Sequence, residues 1–270
     1  MLDLPGEPLA TLTPPQGLSI GARLTVEIVR MALRERGREK PARARMTDAP
    51  LTDGPDLRAR IVATGFPVMD MVPTGSDRLE QVGWSELIDH VRTGHWPFVG
   101  GALWIDATPA MTLIDIDGEG DAPTLARAGG RAAINAIRCC DIGGSIGIDF
   151  PSLPGRGERQ AIDALIDELL PQPFERTAIN GFGLMQIIRR RQRPSLIEQV
   201  RLDPVGTDAA MLLRQAERTI GTGVLHLTTR PAVVDHIARH PDWTAELQRR
   251  TGRPVEIIAD AQGKGSGHAQ

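Results

Sequence analysis

Hydrophobic and polar positions alternate first near the N-terminus. Leu24, Val26 and Ile28 fall on one face, and Arg23, Thr25 and Glu27 on the other, the period-two pattern of a half-buried strand. Helical spacing takes over further on. Leu87, Ile88 and Val91 recur along a helix that starts at Ser85 and stops at Gly94. Leu125, Ala132, Ala133, Ala136, Ile137 and Cys140 line a second helix over 123–140, and Ile162, Leu165, Ile166 and Leu169 a third over 156–170. Between them lie short apolar runs that read as strands: ALWID and MTLIDID, joined by a turn at Ala107-Thr108-Pro109, then SIGIDF, then an apolar run ending in arginines. Helices over 207–219, 231–240 and 241–252, with strands VLHLTT and PVEIIAD, complete the pattern. Strands alternate with helices throughout, so the fold class is α/β, or mixed α+β. Residues 1–19, rich in Pro and Gly, read as a leader, 47–60 as a linker, and 263–270 as a disordered tail.

A length of 270 residues gives room for one large domain or two small ones. Aromatic residues make up only 3%, which argues against an aromatic-lined sugar site and against the base-stacking platform of single-strand binders. The net charge of −3 means that any polyanion site is a local patch. Lys40 and Lys264 are the only lysines, so phosphate contacts would be made by planar arginine forks. Seven basic residues lie between Arg30 and Arg45 against Glu35 and Glu39, and read either as a solvated hairpin loop or as a phosphate-contacting arm. The adjacent Cys139 and Cys140 cannot build a disulfide framework or a four-thiolate zinc site, and read as small core residues in a reducing, cytoplasmic compartment. No apolar run reaches the ~18 residues of a membrane span, and the first residues lack the pattern of a signal peptide.

The chemistry concentrates at strand ends. Asp115 and Asp117 are two apart in MTLIDIDG and leave one face of a strand; Asp149 ends GGSIGID. Carboxylates closing apolar strands are costly unless paired, hydrogen-bonded or bound to a cation. They read as a Mg²⁺ or Mn²⁺ site, or as ordinary turn residues before Gly and Pro. Arg189, Arg190, Arg191 and Arg193 form a second cluster, either a solvated edge or a phosphate clamp. A carboxylate metal site and an arginine cluster would together suit a phosphodiester. His236 and His240 are four apart on a helix but lack the Glu of HExxH, and read as solvent-facing, with His226 no more specific. Nucleophile-elbow, phosphate-loop and dinucleotide-binding motifs are absent from the sequence.

Three ordered segments carry a family resemblance: GGALWIDATPAMTLIDIDG, CDIGGSIGIDF and GFGLMQIIRRRQRPSL. They resemble the catalytic core of the ribonuclease E/G family, over roughly residues 98–200. The resemblance implies a deoxyribonuclease-I-like or RNase-H-like sheet core flanked by helices, with a short N-terminal OB-type remnant. It implies an N-terminal remnant and basic arm over 1–50, a catalytic-core-like domain over 51–205 and a small C-terminal segment over 206–262. It further implies a cytoplasmic endoribonuclease that cuts single-stranded RNA to leave 5′-phosphate and 3′-hydroxyl ends. Asp115 and Asp149 match the family's Mg²⁺-holding aspartates, and Asp117 takes the place of an Asn as a third oxygen ligand. Arg189, Arg190, Arg191 and Arg193 would hold the RNA backbone.

The sequence also departs from the family pattern. Gly181 replaces an Arg, Gln186 a Glu, and LARAG an Asn-Leu-Glu run. No cysteines follow the arginine-rich strand, so no structural zinc and no zinc-bridged dimer are expected, and the oligomeric state stays open. Two alternatives stand beside the enzyme: a non-catalytic RNA-binding or ribosome-associated relative, and an interaction protein whose aspartates cap turns.

Overall fold

A computed structural model describes residues 2–4, 7–13, 17–35, 37–71 and 75–270. In chain order, six short strands come first: β1 (Leu2–Leu4), β2 (Glu7–Leu12), β3 (Val26–Arg30), β4 (Leu33–Glu35), β5 (Arg38–Lys40) and β6 (Ala42–Met46). Helices α1 (Leu57–Val62), α2 (Arg78–Gln81) and α3 (Trp84–Thr93) follow, then strands β7 (His95–Phe98), β8 (Gly101–Ala107) and β9 (Thr112–Gly118). Next are α4 (Ala122–Cys139), β10 (Gly144–Asp149), α5 (Arg156–Leu169), β11 (Phe174–Arg176) and β12 (Leu184–Arg189). The chain closes with α6 (Leu196–Leu202), α7 (Pro204–Arg218), β13 (Leu225–Thr229), α8 (Pro231–Ala238), α9 (Pro241–Thr251), β14 (Val255–Ala259) and β15 (His268–Ala269). The fold is mixed α/β with several sheets. Its contacts divide it into two units, 1–51 with 87–202, and 52–86 with 203–270.

The first unit is built on a six-stranded sheet in the order β11-β12-β10-β9-β8-β7. β7, β8 and β9 form antiparallel hairpins, whereas β9 and β10 run parallel. A parallel pair needs a crossover, and α4 supplies it. Asp121 caps that helix by accepting the Thr124 N–H at 3.0 Å, and Pro123 occupies its first turn. The helix lies close on the sheet because Gly129 faces Ile116: a Cβ at Gly129 would stand 2.3 Å from Ile116 Cγ2. Gly130 faces Phe150 of the sheet end and Leu165 and Ile166 of α5. The core under these helices holds Ile114, Ile116, Ile146, Ile148, Met185 and Ile187.

Within the expected leader, Leu2–Leu4 and Glu7–Leu12 are strands. β1 and β2 join a small sheet, β1-β2-β6-β3, in which β2 runs parallel to β6 over a core of Ala10, Ala42 and Ala44. Small alanines carry little hydrophobic signal, which is why periodicity missed them. β3 bears out the alternation only in part, since Val26 is half-buried and Ile28 exposed. The basic stretch after it is strand as well: β4 pairs with β5, and β6 with β3. Arg36 lies outside the described residues.

The second unit packs α7, α8 and α9 on the sheet β14-β13-β15, around Leu212, Leu225, Leu227, Val233, Ile237 and Leu247. The expected disordered tail forms β15, antiparallel to β13, with Leu227 opposite Ala269. Thr229 Oγ1 donates to the Ser266 carbonyl at 2.8 Å. Gly267 makes the close approach possible, for a Cβ there would stand 2.2 Å from the Thr228 carbonyl oxygen. The expected linker 47–60 carries the start of α1, which is capped by Asp56. Among the described residues no helix is long and apolar enough to cross a membrane.

Candidate active site

One face of the six-stranded sheet is covered by α4 and α5. Alternation turns every second residue to the other face, and the strand registers line those residues up across the sheet. One row runs His95 (β7), Trp104 (β8), Asp115 (β9), Asp149 (β10) and Leu184 (β12), each directly opposite the next. Trp104, Asp115, Asp149 and Leu184 are exposed. Two carboxylates therefore stand opposite each other in adjacent strands, one strand spacing apart (~4.8 Å). Asp117 lies two residues further along β9, opposite Ala102, and its Oδ1 accepts the Gly118 N–H at 2.9 Å. Among the described residues no group of three His, Cys, Asp or Glu side chains converges as a metal cluster. The structure thus brings Asp115 and Asp149 together and sets Asp117 to one side.

The pair is electrostatically loaded. Partial burial raises the Asp115 carboxyl above the usual carboxylate range, and the charges of Asp149 and Asp117 push it the same way. The end of β10 is held by a tight turn. Asn180 Oδ1 accepts the N–H groups of Phe182 and Leu184 at 2.9 and 3.1 Å, and the Phe150 N–H donates to the Gly183 carbonyl at 3.1 Å. Gly183 has φ of 93°, and a Cβ there would meet the Phe150 carbonyl oxygen at 2.4 Å. Only glycine lets this turn close against Asp149.

The arginines divide by strand geometry. Arg189 follows Met185 and Ile187 on the helix-covered side, and its guanidinium donates to the Ile142 carbonyl at 2.8 Å. Burial pushes its pKa below the usual value. Arg191 bridges Glu198 and the buried Glu35, which Lys40 also reaches at 2.6 Å. Arg193 pairs with Asp141 at 2.7 Å. Arg190 is exposed. Three of the four candidate RNA contacts are thus engaged by the protein's own groups, and Arg190 is the one directed to solvent. At the departures from the family pattern, Gly181 is exposed with open space where a Cβ would stand, and Gln186 lies opposite Gly147.

The chain is similar to ribonuclease G. It is 31% identical over 115 residues to ribonuclease G of Salmonella typhimurium (strain SL1344). It is 30% identical over 115 residues to the same enzyme of Escherichia coli (strain K12) and of Shigella flexneri. Each match covers 36% of this chain and 22% of the relative, so the chain spans about a fifth of the length of the curated relatives it matches. No family model matches the chain. The similarity is distant and partial.

Sequence reasoning missed His95, Trp104 and Asn180. Trp104 is one residue before Ile105 in a run read only as a strand, and its place beside Asp115 follows from hairpin register. The Asn-Gly step at 180–181 was the available turn signal for Asn180. Of the histidines, His240 stacks on Trp243 at 4.2 Å and His236 sits 5.1 Å from His240, a ring cluster rather than two solvent-facing residues.

Proposed function

We propose that this chain is a Mg²⁺-dependent endoribonuclease that hydrolyses single-stranded RNA at the Asp115–Asp149 pair. The observation that carries this reading is the direct opposition of those two carboxylates in parallel β9 and β10, on an exposed sheet face. The similarity to ribonuclease G supports it. The donor set suits a hard divalent ion: two carboxylates at one strand spacing, with Asp115 raised first by partial burial and then by the like charges of Asp149 and Asp117 that a cation would offset. Mg²⁺, or Mn²⁺ in its place, would supply Lewis-acid stabilisation of the phosphate and a lowered pKa for water.

The chain's own residues do the rest. Asp115 and Asp149 would hold the ion at the sheet surface, and Asp117 would add negative potential from the next row. Arg190, the exposed one of the four arginines, would meet a backbone phosphate further along the strand, ~20 Å from the carboxylate row. Arg189, Arg191 and Arg193 act behind it, fixing the end of β12 through Ile142, Glu198 and Asp141. In this reading the six-stranded sheet with α4 and α5 is a deoxyribonuclease-I-like or RNase-H-like core, and β1, β2, β3 and β6 are what remains of an OB-type domain. The products carry 5′-phosphate and 3′-hydroxyl ends. The compartment is the cytoplasm, where the exposed free thiol of Cys139 stays reduced.

Incubation of a 5′-labelled single-stranded RNA with the protein, with and without Mg²⁺, tests this. Metal-dependent cleavage to shorter 5′-labelled products supports the reading. A second reading, a non-catalytic RNA-binding relative, is favoured by the internal engagement of Arg189, Arg191 and Arg193 and by the two-carboxylate count. Metal-independent retention of the RNA without cleavage would select it.

A further inference from the structure

Composition argued against a base-stacking platform, because aromatics are only 3% of the chain. Strand register nevertheless places two aromatic rings at one spot. Trp104 stands directly opposite Asp115 on one side and His95 on the other. The His95 and Trp104 rings lie 4.7 Å apart between centroids, tilted by 44°. That contact braces the indole from the β7 side, while Trp104 remains 51% exposed. A large aromatic half in water, fixed by a neighbouring ring and one strand spacing from a carboxylate pair, has no core to serve. Its fixed position beside the carboxylates makes it available to a flat ring from outside.

We propose that Trp104, braced by His95, is the platform on which one base of the single-stranded RNA stacks while its phosphate lies at Asp115 and Asp149. The proposal deepens the endoribonuclease reading and rests on it. The base is the occupant that fits for three reasons. Aromatic rings stack on any nucleobase without sequence readout, so the ring needs no particular base beside the carboxylates. The row places the ring next to the carboxylates, so a nucleotide spans both with its own base and phosphate. Bracing by His95 removes side-chain freedom that binding would otherwise cost. Trp104 is then a substrate-binding residue that sets the register of the RNA.

The test is fluorescence anisotropy of 5′-fluorescein A10 and U10 RNA in the Asp149→Asn background, where the RNA survives, together with cleavage kinetics in the otherwise unaltered protein. Trp104→Ala is expected to weaken A10 binding roughly tenfold or more, the loss of one base–aromatic stack. Trp104→Phe should recover most of it. In cleavage, Trp104→Ala should raise KM by a similar factor and move kcat little. Because Trp104 is exposed, both variants should fold, as circular dichroism would show.

Cleavage by the unaltered protein with A10 binding and KM unchanged in Trp104→Ala overturns the platform and leaves the enzyme standing. Binding that depends on Trp104, with no cleavage under any metal, upholds the platform and overturns the catalytic reading. Neither binding nor cleavage by the unaltered protein overturns both. A change of oligomeric state in Trp104→Ala with RNA binding untouched assigns the ring to a contact between copies and overturns the platform.

Discussion

Asp115 of β9 and Asp149 of β10 are direct neighbours across a parallel strand pair. Their proximity has a consequence in the metal-free protein. Asp115 titrates above its unfolded range, pushed first by partial burial and then by Asp149 and Asp117. The folded state therefore binds more protons than the unfolded one as pH rises from the unfolded to the folded pKa, and stability falls across that window. At pH 7 the repulsion is fully present, though solvent screens it at this exposed site. Asp149→Asn should raise the melting temperature of the metal-free protein slightly, on the order of 1 °C. Mg²⁺ should raise the melting temperature of the unaltered protein and leave Asp149→Asn unmoved. Calorimetry with and without Mg²⁺ reads both effects, and an equal Mg²⁺ shift in the two proteins would count against the site.

Two helical glycines should respond in opposite ways to alanine. Gly129→Ala places a methyl 2.3 Å from Ile116 Cγ2, at the seam between α4 and the sheet. Overpacking there should cost about 1–3 kcal/mol, beyond any gain in helix propensity. Gly157 lies near the start of α5 with nothing within 4 Å of a Cβ. Gly157→Ala should stabilise by about 0.5–1 kcal/mol. Urea denaturation of the two variants separates them by sign.

Asp77 ties the second unit together. It caps α2 by accepting the Glu80 N–H at 3.1 Å, and it receives both carboxylate contacts of Arg214 at 2.7 and 2.8 Å. Burial works to raise its carboxyl, but the Glu80 N–H, Arg214 and Arg218 outweigh it and hold the pKa below the usual range. A depressed folded pKa contributes stability that is full above the unfolded value and is lost as pH falls through the folded one. Asp77→Asn should cost about 1–2 kcal/mol at pH 7 and progressively less at an acidic pH, as the folded carboxylate takes up its proton. Melting curves at the two pH values check it; an equal loss at both would remove the charge from the explanation.

Deletion of residues 263–270 distinguishes a tail from a strand. β15 pairs with β13 and covers the core at Ala269. Removal should destabilise by about 1–2 kcal/mol. An unchanged urea midpoint would mean that the segment contributes nothing.

That segment also shows where the sequence stopped being legible. Its Gly-Lys-Gly-Ser-Gly composition reads as disorder, because pairing of two residues leaves no periodic trace. β1, β2, β7 and β11 were missed for the same reason: short strands with alanine, proline or polar residues lack alternation. α3, α4 and α5 were legible because their apolar residues recur at helical spacing between start and stop signals. At the candidate site, Asp115 and Asp149 could be picked out as charges closing apolar strands. Their mutual opposition depends on the register of β9 and β10 across the α4 crossover, and the arrival of Trp104 beside them on the register of the β8–β9 hairpin. The arginine run was visible too, but not its division, which follows from β12 turning Arg189 inward and leaving Arg190 outside.

The central claim is that Asp115 and Asp149 together hold the ion that cleaves RNA. It is tested most directly by the initial rate of cleavage of a labelled single-stranded RNA as Mg²⁺ is raised, for the unaltered protein and for Asp149→Asn. Metal-dependent cleavage that falls at least ~100-fold in Asp149→Asn is the predicted result. Cleavage at the same rate in both proteins, or no cleavage at any Mg²⁺ concentration, would contradict it.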